Sequence, residues 1–442
     1  MRGPILVACL LGATAARAAL PAPSADPVIA RAVAQVSAAR LKADDLRLVG
    51  FGTRSTFSEK SAPGRGVFAA RAWLKARLEQ VAATTGGRMT VRLDSYVQHP
   101  DGKRIARDVE ISSVIATLKG DDPGGRTYVM SSHYDSRNSS NDDGVADAPG
   151  ADDNGSGTGA VLEAARVLAG LRPRATVVFA IFDSEEQGLL GAAHFAEGLK
   201  AAGVDVEGDL NNDIIGSSLG RGGAHEGSTV RIFSEAVAAG GGVDRVNAIG
   251  NENDSPSREL SRYALGVGDA YVPGLRGDLI FRADRFLRGG DHEAFNAAGF
   301  AAIRFVEPFE TYEHQHQNVR VEGGVRYGDL PEFMDYDYLA RVTRYDVAVL
   351  ASLAMGPGRV AARTETTELT NDTTLSWAAV PGAASYEVVA RRTTGVDWER
   401  VIASVTGTRV TVPYSKDNWL FGVRAVDADG RRGVVAFPLP GR

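Results

Sequence analysis

Apolar runs alternate with amphipathic segments through most of the chain, and this alternation predicts strands that alternate with helices. Residues 127–132 and 175–182 form continuous apolar runs of strand length, and residues 158–171 between them carry apolar positions at helical spacing. This order favours an α/β fold, a mostly parallel mixed sheet flanked by helices, with any site at the carboxyl ends of the strands. Further strands are predicted at 89–97, 111–118, 210–215 and 301–306, and further helices at 26–41, 66–83, 189–199 and 338–354.

Residues 216–288 do not follow this alternation. They contain glycine-rich stretches at 220–223 and 240–242 and a polar stretch at 251–259. Glycine-rich and polar segments usually interrupt regular structure. We therefore expect this part of the chain to contain a helix and then a lid or an insertion that shapes the substrate site.

The pattern changes again after the Gly-Pro-Gly sequence at 356–358. Short alternating strands separated by turn residues are typical of a β-sandwich. Such strands are predicted around Trp377 and at 386–390, 410–412 and 421–426. Residues 359–442 are therefore predicted to form a small all-β sandwich, whose motifs at 375–377 and 386–388 resemble those of a fibronectin type III domain. Residues 19–355 are left for the α/β domain.

Residues 1–18 have the layout of a secretory signal peptide. Met1-Arg2 supplies a short positive region, residues 4–15 supply a hydrophobic region, and Ala16-Arg17-Ala18 supplies a small-x-small cleavage site. We therefore expect export to a periplasm or to the medium. The single cysteine, Cys9, lies in this segment, so the mature chain would contain no disulfide.

Length and charge narrow the class of protein further. A chain of 442 residues is long enough for two domains. The formal net charge is −6, and this mildly acidic balance gives no electrostatic footprint for nucleic acid. No apolar run outside the predicted signal peptide is long enough to span a membrane. The sequence therefore predicts neither a nucleic-acid partner nor a membrane span.

Potential metal ligands lie where the predicted strands end. His133 follows the strand at 127–132, and Asp135 stands two residues later, where its carboxylate could orient the imidazole as ligating histidines usually require. A lone histidine is more often structural than a ligand, so His133 by itself does not decide between the two roles. Asp213 follows the strand residues 210–212, and a carboxylate at that position needs a partner.

Two acidic motifs lie beside these strand ends. Asp153 belongs to the Asp-Asp-Asn-Gly sequence at 152–155, which could be a turn that caps the next helix or a turn that aims a carboxylate inward. Glu185 and Glu186 follow the strand at 175–182, and they could be the charged first turn of a helix. Because adjacent residues point in different directions, one glutamate can instead bind a metal while the other faces the substrate.

Taken together, these motifs resemble those of the family-28 zinc metallopeptidases, the group that contains the co-catalytic di-zinc aminopeptidases. The resemblance covers residues 48–353, and both the order and the approximate spacing of the motifs match. The matching motifs are His-x-Asp at 133–135, Gly-x-x-Asp-Asn-x-Ser-Gly at 150–157, Glu-Glu-x-Gly at 185–188, Leu-Asn-x-Asp at 210–213, and a late histidine, His314 or His316.

The resemblance implies two zinc ions bridged by the carboxylate of Asp153. Glu185 would be the general base in hydrolysis by a water activated between the two ions, and Asp135 would assist. The peptide bond after the bridging aspartate is often cis in this family. The other ligands that the resemblance implies are His133 and Asp213 for one zinc, and Glu186 with either His316 or His314 for the second zinc.

Two further positions depart from the family pattern. Asp291 and His292 stand where the family carries a Ser-Asp-His motif, and we expect them to support the site without binding metal. A tyrosine that polarises the substrate carbonyl in some relatives has no counterpart, because Leu287 and Arg288 occupy its neighbourhood. Arg288 and Tyr312 are the candidates for stabilising the oxyanion in its place.

The resemblance implies a zinc-dependent exopeptidase acting on peptide or protein substrates, with aminopeptidase as the leading interpretation, and the predicted signal peptide implies that it is secreted. Relatives also include carboxypeptidases, for which Arg282, Arg285 or Arg288 could bind the substrate carboxylate, and glutaminyl cyclases, which use a single zinc. The rival from another class is a non-catalytic adhesion or peptide-binding protein in which the β-sandwich does the binding. The presence of every implied ligand and of the base favours the enzyme.

Overall fold

The computed structural model describes residues 20, 23, 25–122, 125–236 and 243–441, so the predicted signal peptide with Cys9 lies outside the described residues. The helices are α1 (Pro27–Val33), α2 (Ala38–Val49), α3 (Gly66–Ala83), α4 (Gly157–Leu168), α5 (Leu190–Ala201), α6 (Val243–Ile249), α7 (Pro256–Tyr271), α8 (His292–Ala298) and α9 (Tyr336–Met355). The strands up to α9 are β1 (Met89–Gln98), β2 (Val109–Leu118), β3 (Thr127–His133), β4 (Thr176–Phe182), β5 (Val206–Asn212), β6 (Thr229–Ser234), β7 (Arg276–Ile280), β8 (Ala302–Val306) and the short hairpin β9 (Arg320–Glu322) and β10 (Val325–Tyr327).

The main sheet has the strand order β1-β2-β4-β3-β5-β8-β6-β7. β3 pairs in parallel with β4 and β5, and β5 pairs in parallel with β8. β2 runs antiparallel to β1 and β4, and β6 runs antiparallel to β8. The central strands are thus parallel within a larger mixed sheet, which confirms the predicted fold class.

Helices cover both faces of this sheet. One face packs on a large apolar cluster to which α1, α3, α4, α7 and α9 contribute. The other face packs on α5 and α8, where Phe195 and Phe295 lie against Phe182 of β4. Strands such as β3 are buried on both sides, and this explains their continuous apolar sequence. Among the described residues, no helix has the length and apolar character needed to cross a membrane.

Two predictions of regular structure are wrong in detail. The single helix predicted at 26–41 is two helices, because the Ser37 side chain accepts a hydrogen bond from the backbone of Arg40 and caps the start of α2. The segment 216–288 contains the expected helix, α7. Its described residues do not form a separate lid or insertion, because strands β6 and β7 extend the main sheet.

The chain beyond α9 forms a separate all-β region, as predicted. Its strands are β11 (Ala362–Glu365), β12 (Thr373–Trp377), β13 (Ala383–Arg392), β14 (Arg400–Val405), β15 (Arg409–Val412), β16 (Trp419–Asp427) and β17 (Leu439–Gly441). They form one sheet in the order β15-β12-β11-β17 and another in the order β14-β13-β16. Buried side chains such as Leu375, Val388 and Phe421 fill the core of this region.

Buried polar contacts join the all-β region to helix α7 and to the residues just before it. Nη2 of Arg391, in β13, lies 2.6 Å from Oδ1 of Asp254, and the two side chains are 1% and 0% exposed. The indole nitrogen of Trp398 donates to Glu259 of α7 at 2.8 Å. Because a buried charge that loses its partner is costly, these contacts tie the all-β region to the main domain.

We expect Arg391→Met to lower the free energy of unfolding by about 3 kcal/mol, because it leaves the Asp254 carboxylate buried without its nearest partner. Urea unfolding followed by tryptophan fluorescence measures this change. Arg392→Met is the matched control, since the Arg392 side chain is exposed and lies over the Trp419 ring. Its effect should stay below about 1 kcal/mol. Equal effects of the two substitutions would contradict the prediction.

Candidate metal centre

The candidate site lies where the central parallel strands end. β3 ends at His133, and its neighbour β5 ends one residue before Asp213. On the other side of β3, the strand β4 ends shortly before Glu185 and Glu186. The turn Ala151–Ser156 leads into α4 and brings a further carboxylate to the same edge. Motifs that are distant in the sequence therefore meet because their strands are neighbours.

Asp153 lies at the centre of the site and faces a different histidine with each of its oxygens. Its Oδ1 lies 3.4 Å from Nε2 of His133, and its Oδ2 lies 3.0 Å from Nε2 of His316. The peptide bond between Asp153 and Asn154 is cis, as the resemblance implied. A carboxylate placed in this way can bridge two metal ions.

The other donors form two groups, one on each side of Asp153. Oδ1 of Asp213 and Oε2 of Glu185 lie 3.5 Å and 3.9 Å from Nε2 of His133. On the other side, Oε1 of Glu186 lies 2.9 Å from Nε2 of His316. Within each group, His133 with Glu185 and Asp213 or His316 with Asp153 and Glu186, the donor atoms lie within 4.8 Å of one another. Each group can therefore hold one ion.

The donor atoms are buried, and their chemistry fits zinc. Nε2 of His133 and Oδ1 of Asp213 have no hydrogen-bond partner among the described residues. Since buried polar atoms are normally hydrogen-bonded, two such atoms beside one carboxylate indicate a ligand. Imidazole nitrogens and carboxylate oxygens are the donors that zinc takes in catalytic sites.

Asp135 orients two of the motifs. Nδ1 of His133 lies 3.1 Å from the carbonyl oxygen of Asp135. Because a carbonyl only accepts, this contact places a proton on Nδ1 and leaves Nε2 to face Asp153. The Asp135 carboxylate accepts hydrogen bonds from the backbone N–H groups of Glu185 and Glu186, both at 3.1 Å. Asp135 therefore links the end of β3 to the glutamate motif.

Burial and charge shift the pKa values of groups in the centre. Burial raises the pKa of Glu185 well above its ordinary value, against the opposing charge of His133. Burial would lower the pKa of His316, but the carboxylates of Glu186 and Asp153 outweigh it and raise that pKa to about 9. A cation that binds here displaces protons, so metal affinity is expected to fall as the pH falls.

Of the two late histidines, His316 reaches the centre and His314 does not. The ring of His314 stacks on Phe333, with the ring centroids 3.6 Å apart and the planes 8° apart. The backbone of His316 has a left-handed φ of 53°, a conformation that is uncommon for residues other than glycine. Of the two alternatives that the sequence left open, the geometry therefore favours His316 over His314 as a metal ligand.

The remaining predicted residues lie around the donors. Nε2 of His292 lies 2.8 Å from the carbonyl oxygen of Ala283, and burial lowers the pKa of His292 to about 4. Burial raises the pKa of Asp291 to about 8. Neither residue belongs to the two donor groups around Asp153. Tyr312 is 60% exposed, which makes Arg288 the stronger of the two oxyanion candidates.

Two arginines that sequence analysis did not assign to the site contact its ligands. Nη2 of Arg304, a fully buried residue of β8, lies 2.7 Å from Oδ2 of Asp213. Arg137 donates to Oε2 of Glu186 at 2.9 Å, and its Nη2 lies 2.6 Å from Nδ1 of His316. The charge of Arg304 inside an apolar strand is a sequence signal for a buried ion pair, whereas nothing in the pattern marks Arg137.

Asp329 holds the turn that carries Asp153, and sequence analysis also missed it. Its carboxylate accepts hydrogen bonds from the backbone N–H groups of Asp152 at 2.9 Å and of Asp153 at 2.7 Å. It lies in a loop outside every predicted element, so neither periodicity nor a motif could have identified it. Asp329 therefore fixes the direction in which the central carboxylate points.

We expect Asp329→Ala to lower the affinity for divalent metal by about 10- to 100-fold, because groups that orient metal ligands typically contribute this much. Competition against a chromophoric chelator measures the affinity. Asp329→Asn is the matched control, since its amide oxygen can still accept from both N–H groups, and its affinity should stay near that of the wild type. An unchanged affinity in the alanine variant would show that the turn needs no such support.

Comparisons with known proteins identify the family of this chain. Residues 113–320 match the model of peptidase family M28. A probable zinc metalloprotease of Leptosphaeria maculans is 44% identical over 430 residues, which cover 95% of this chain and 98% of that protein. A probable zinc metalloprotease of Pyricularia oryzae is 46% identical over 431 residues, which cover 95% of this chain and 85% of that protein.

The fold is similar to that of a solved aminopeptidase. The LapA aminopeptidase of Legionella pneumophila matches with a TM-score of 0.54 and 18% identity, over 74% of each chain. The identity is too low to carry more than the fold. The matches to the two fungal proteins are long and close, and together with the family model they show that the chain belongs to peptidase family M28 and is a zinc metalloprotease.

Proposed function

We propose that this protein is a di-zinc aminopeptidase that hydrolyses the first peptide bond of substrates with a free N-terminus. The observation that carries the proposal is Asp153, whose two oxygens face His133 and His316 at 3.4 Å and 3.0 Å. A carboxylate shared between two donor groups suits a pair of ions about 3.5–4 Å apart. The direction of attack rests on analogy, since the LapA aminopeptidase shares the fold.

The donors divide into two zinc sites that share one carboxylate. When bound, two zinc ions would polarise the scissile carbonyl and lower the pKa of water from about 15.7 towards 7. Arg304 and Arg137 hold the outer oxygens of the carboxylates Asp213 and Glu186, so these ligands are oriented before the substrate arrives. The proposed ligands are His133, Asp153 and Asp213 for one zinc, and Asp153, Glu186 and His316 for the other.

Glu185 is the residue we assign to proton transfer. Its side chain is 13% exposed, while those of Asp153, Glu186 and Asp213 are 5%, 4% and 4% exposed. It is therefore the carboxylate of the centre that is most open to substrate. Glu185 would take a proton from the attacking water and later deliver it to the leaving amine. The raised pKa that burial gives Glu185 suits a group that must take up a proton and then release it.

We further propose that the protein is exported and has a catalytic and an accessory domain. The layout of residues 1–18 supports cleavage of a signal peptide and export to a periplasm or the medium. The separate sheets on either side of 356–358 support a catalytic domain at 19–355 and a fibronectin type III-like domain at 359–442.

The test combines metal analysis with a substrate panel. The purified chain is assayed for zinc content, and its hydrolysis of free-amine, N-blocked and C-blocked peptides is measured before and after chelation. We expect two zinc ions per chain and chelator-sensitive cleavage that requires a free substrate amine. Cleavage of N-blocked peptides from the other end would instead identify a carboxypeptidase.

Two other outcomes would overturn the proposal more completely. One zinc per chain, with cyclisation of N-terminal glutamine and no peptide cleavage, would identify a glutaminyl cyclase. Absence of bound metal from a protein that still binds peptides would identify the non-catalytic binding protein.

A further inference from the structure

We propose that Arg288 binds a carboxylate of the substrate and makes an anionic group at this position a requirement for efficient cleavage. The inference deepens the proposed function and rests on it, because it assigns the substrate class of the same site. Arg288 lies beside the centre, with its Nη2 3.6 Å from Oδ2 of Asp153 and its Nη1 3.3 Å from Nδ1 of His316.

Arg288 differs from the other arginines around the centre in its partners. Arg137 donates to Glu186 at 2.9 Å, Arg304 forms an ion pair with Asp213 at 2.7 Å, and Arg285 pairs with Asp284 at 2.9 Å. Arg288 has no carboxylate oxygen within hydrogen-bonding distance among the described residues, and its side-chain partners are Oε1 of Gln315 at 3.1 Å and Nδ1 of His316 at 3.3 Å. Of these four arginines, Arg288 is therefore the one without a close carboxylate partner, since the nearest carboxylate oxygen, Oδ2 of Asp153, lies 3.6 Å away.

The loop that carries Arg288 is fixed from two sides. The carbonyl oxygen of Gly289, the next residue, accepts hydrogen bonds from Arg285 at 3.1 Å and from Arg304. A Cβ at Gly290 would lie 2.6 Å from Nη1 of Arg304, so the backbone there passes directly against a buried side chain. A group anchored in this way loses little freedom when it binds a ligand, which favours recognition.

The guanidinium of Arg288 is also open to a ligand. Its side chain is 20% exposed, comparable to 19% for His316 and 13% for Glu185, so solvent reaches all three. A guanidinium presents a planar set of N–H donors that matches a carboxylate, and such charge-assisted bonds are roughly twice as strong as neutral ones. A carboxylate of the substrate is therefore the chemical group that the guanidinium of Arg288 is suited to bind.

The other two arginines considered for this role are already engaged. Arg285 pairs with Asp284 and Glu310, and Arg282 lies over the ring of Phe286 with its Cζ 3.8 Å from the centroid. Arg282 belongs to the same segment of chain as Arg288 but has no contact with the donors around Asp153. It therefore provides a matched control for the removal of one positive charge from this loop.

A substrate can supply the carboxylate from two sources, an acidic side chain on its first residue or the α-carboxylate of a short peptide. Two pairs of substrates separate them. The first pair has N-terminal glutamate or glutamine before the same leaving group. The second pair is a dipeptide with a free or an amidated C-terminus. The wild type should prefer the anionic member of one pair.

We expect Arg288→Gln to lower kcat/KM for that preferred anionic substrate by about 10- to 100-fold more than for its uncharged counterpart, with the difference expressed mainly in KM. Arg282→Gln should preserve the preference. A wild type that does not distinguish either pair would overturn the proposal. An equal loss for all four substrates, expressed in kcat, would also overturn it and would assign Arg288 to the oxyanion or to the ligands.

Binding provides a second readout that does not depend on turnover. Calorimetry with Glu185→Gln, and with the same variant carrying Arg288→Gln, compares the affinities for the two substrate pairs. The anionic member should bind more tightly only when Arg288 is present. If no free-amine peptide is cleaved but this difference persists, the aminopeptidase assignment fails while the carboxylate assignment holds. Equal affinities in both variants would reject the carboxylate assignment.

Discussion

Glu185→Gln is expected to lower kcat/KM for free-amine peptides by about 10²- to 10⁴-fold, the range usually attributed to a general acid–base group. Glutamine has nearly the same shape but cannot take a proton from water. The carboxylate of Glu185 lies 3.9 Å from the His133 imidazole, which is too far for a hydrogen bond, so the substitution should not disturb the neighbouring donors. Steady-state kinetics measures the loss, and metal analysis should show an unchanged zinc content.

Glu186→Gln is the matched comparison, because the two glutamates are adjacent and their roles are proposed to differ. Oε1 of Glu186 lies 2.9 Å from His316 and Oε2 lies 2.9 Å from Arg137, so this residue is held as a ligand. Its substitution should lower the zinc content. If Glu185→Gln lowered the zinc content equally, Glu185 would be a metal ligand rather than the base, a role that its position near His133 and Asp213 also permits.

The sequence predicts the central sheet well because burial on both faces leaves a simple signature. Strands β3 and β4 are continuous apolar runs, and each ends where the candidate site begins. The sequence does not predict β6 and β7 because these two strands, at one side of the sheet, are short and carry polar positions. Arg231 in β6, for example, interrupts the apolar pattern but pairs with Glu310, far away in the sequence. Such a contact is set by the tertiary fold.

The site divides in the same way between local motifs and distant contacts. His133, Asp153 and Asp213 stand at strand ends or in a turn, so local pattern and family resemblance are enough to select them. Asp329 acts through two backbone N–H groups in another loop, and Arg137 acts through side chains that reach it from separate elements. Residues that orient ligands follow no characteristic spacing in the sequence. They can be identified only when the three-dimensional arrangement of the strands and loops is known.

The sequence leaves open whether His314 or His316 is the metal ligand, and zinc content and activity can distinguish the two. His316→Ala removes a donor that lies 3.0 Å from Asp153 and 2.9 Å from Glu186. We expect the zinc content to fall from two ions to one per chain. A metal ion contributes several kcal/mol of transition-state stabilisation, so kcat/KM should fall by about 100-fold or more.

His314→Ala is the control that makes this expectation decisive. Its ring stacks on Phe333 with centroids 3.6 Å apart, so its removal costs local packing but no donor of the centre. Zinc content and kcat/KM should therefore remain near those of the wild type, with at most a modest loss of stability. Plasma emission spectroscopy and kinetics on the two variants test the assignment together. Loss of one zinc from His314→Ala, with both ions retained in His316→Ala, would instead identify His314 as the metal ligand.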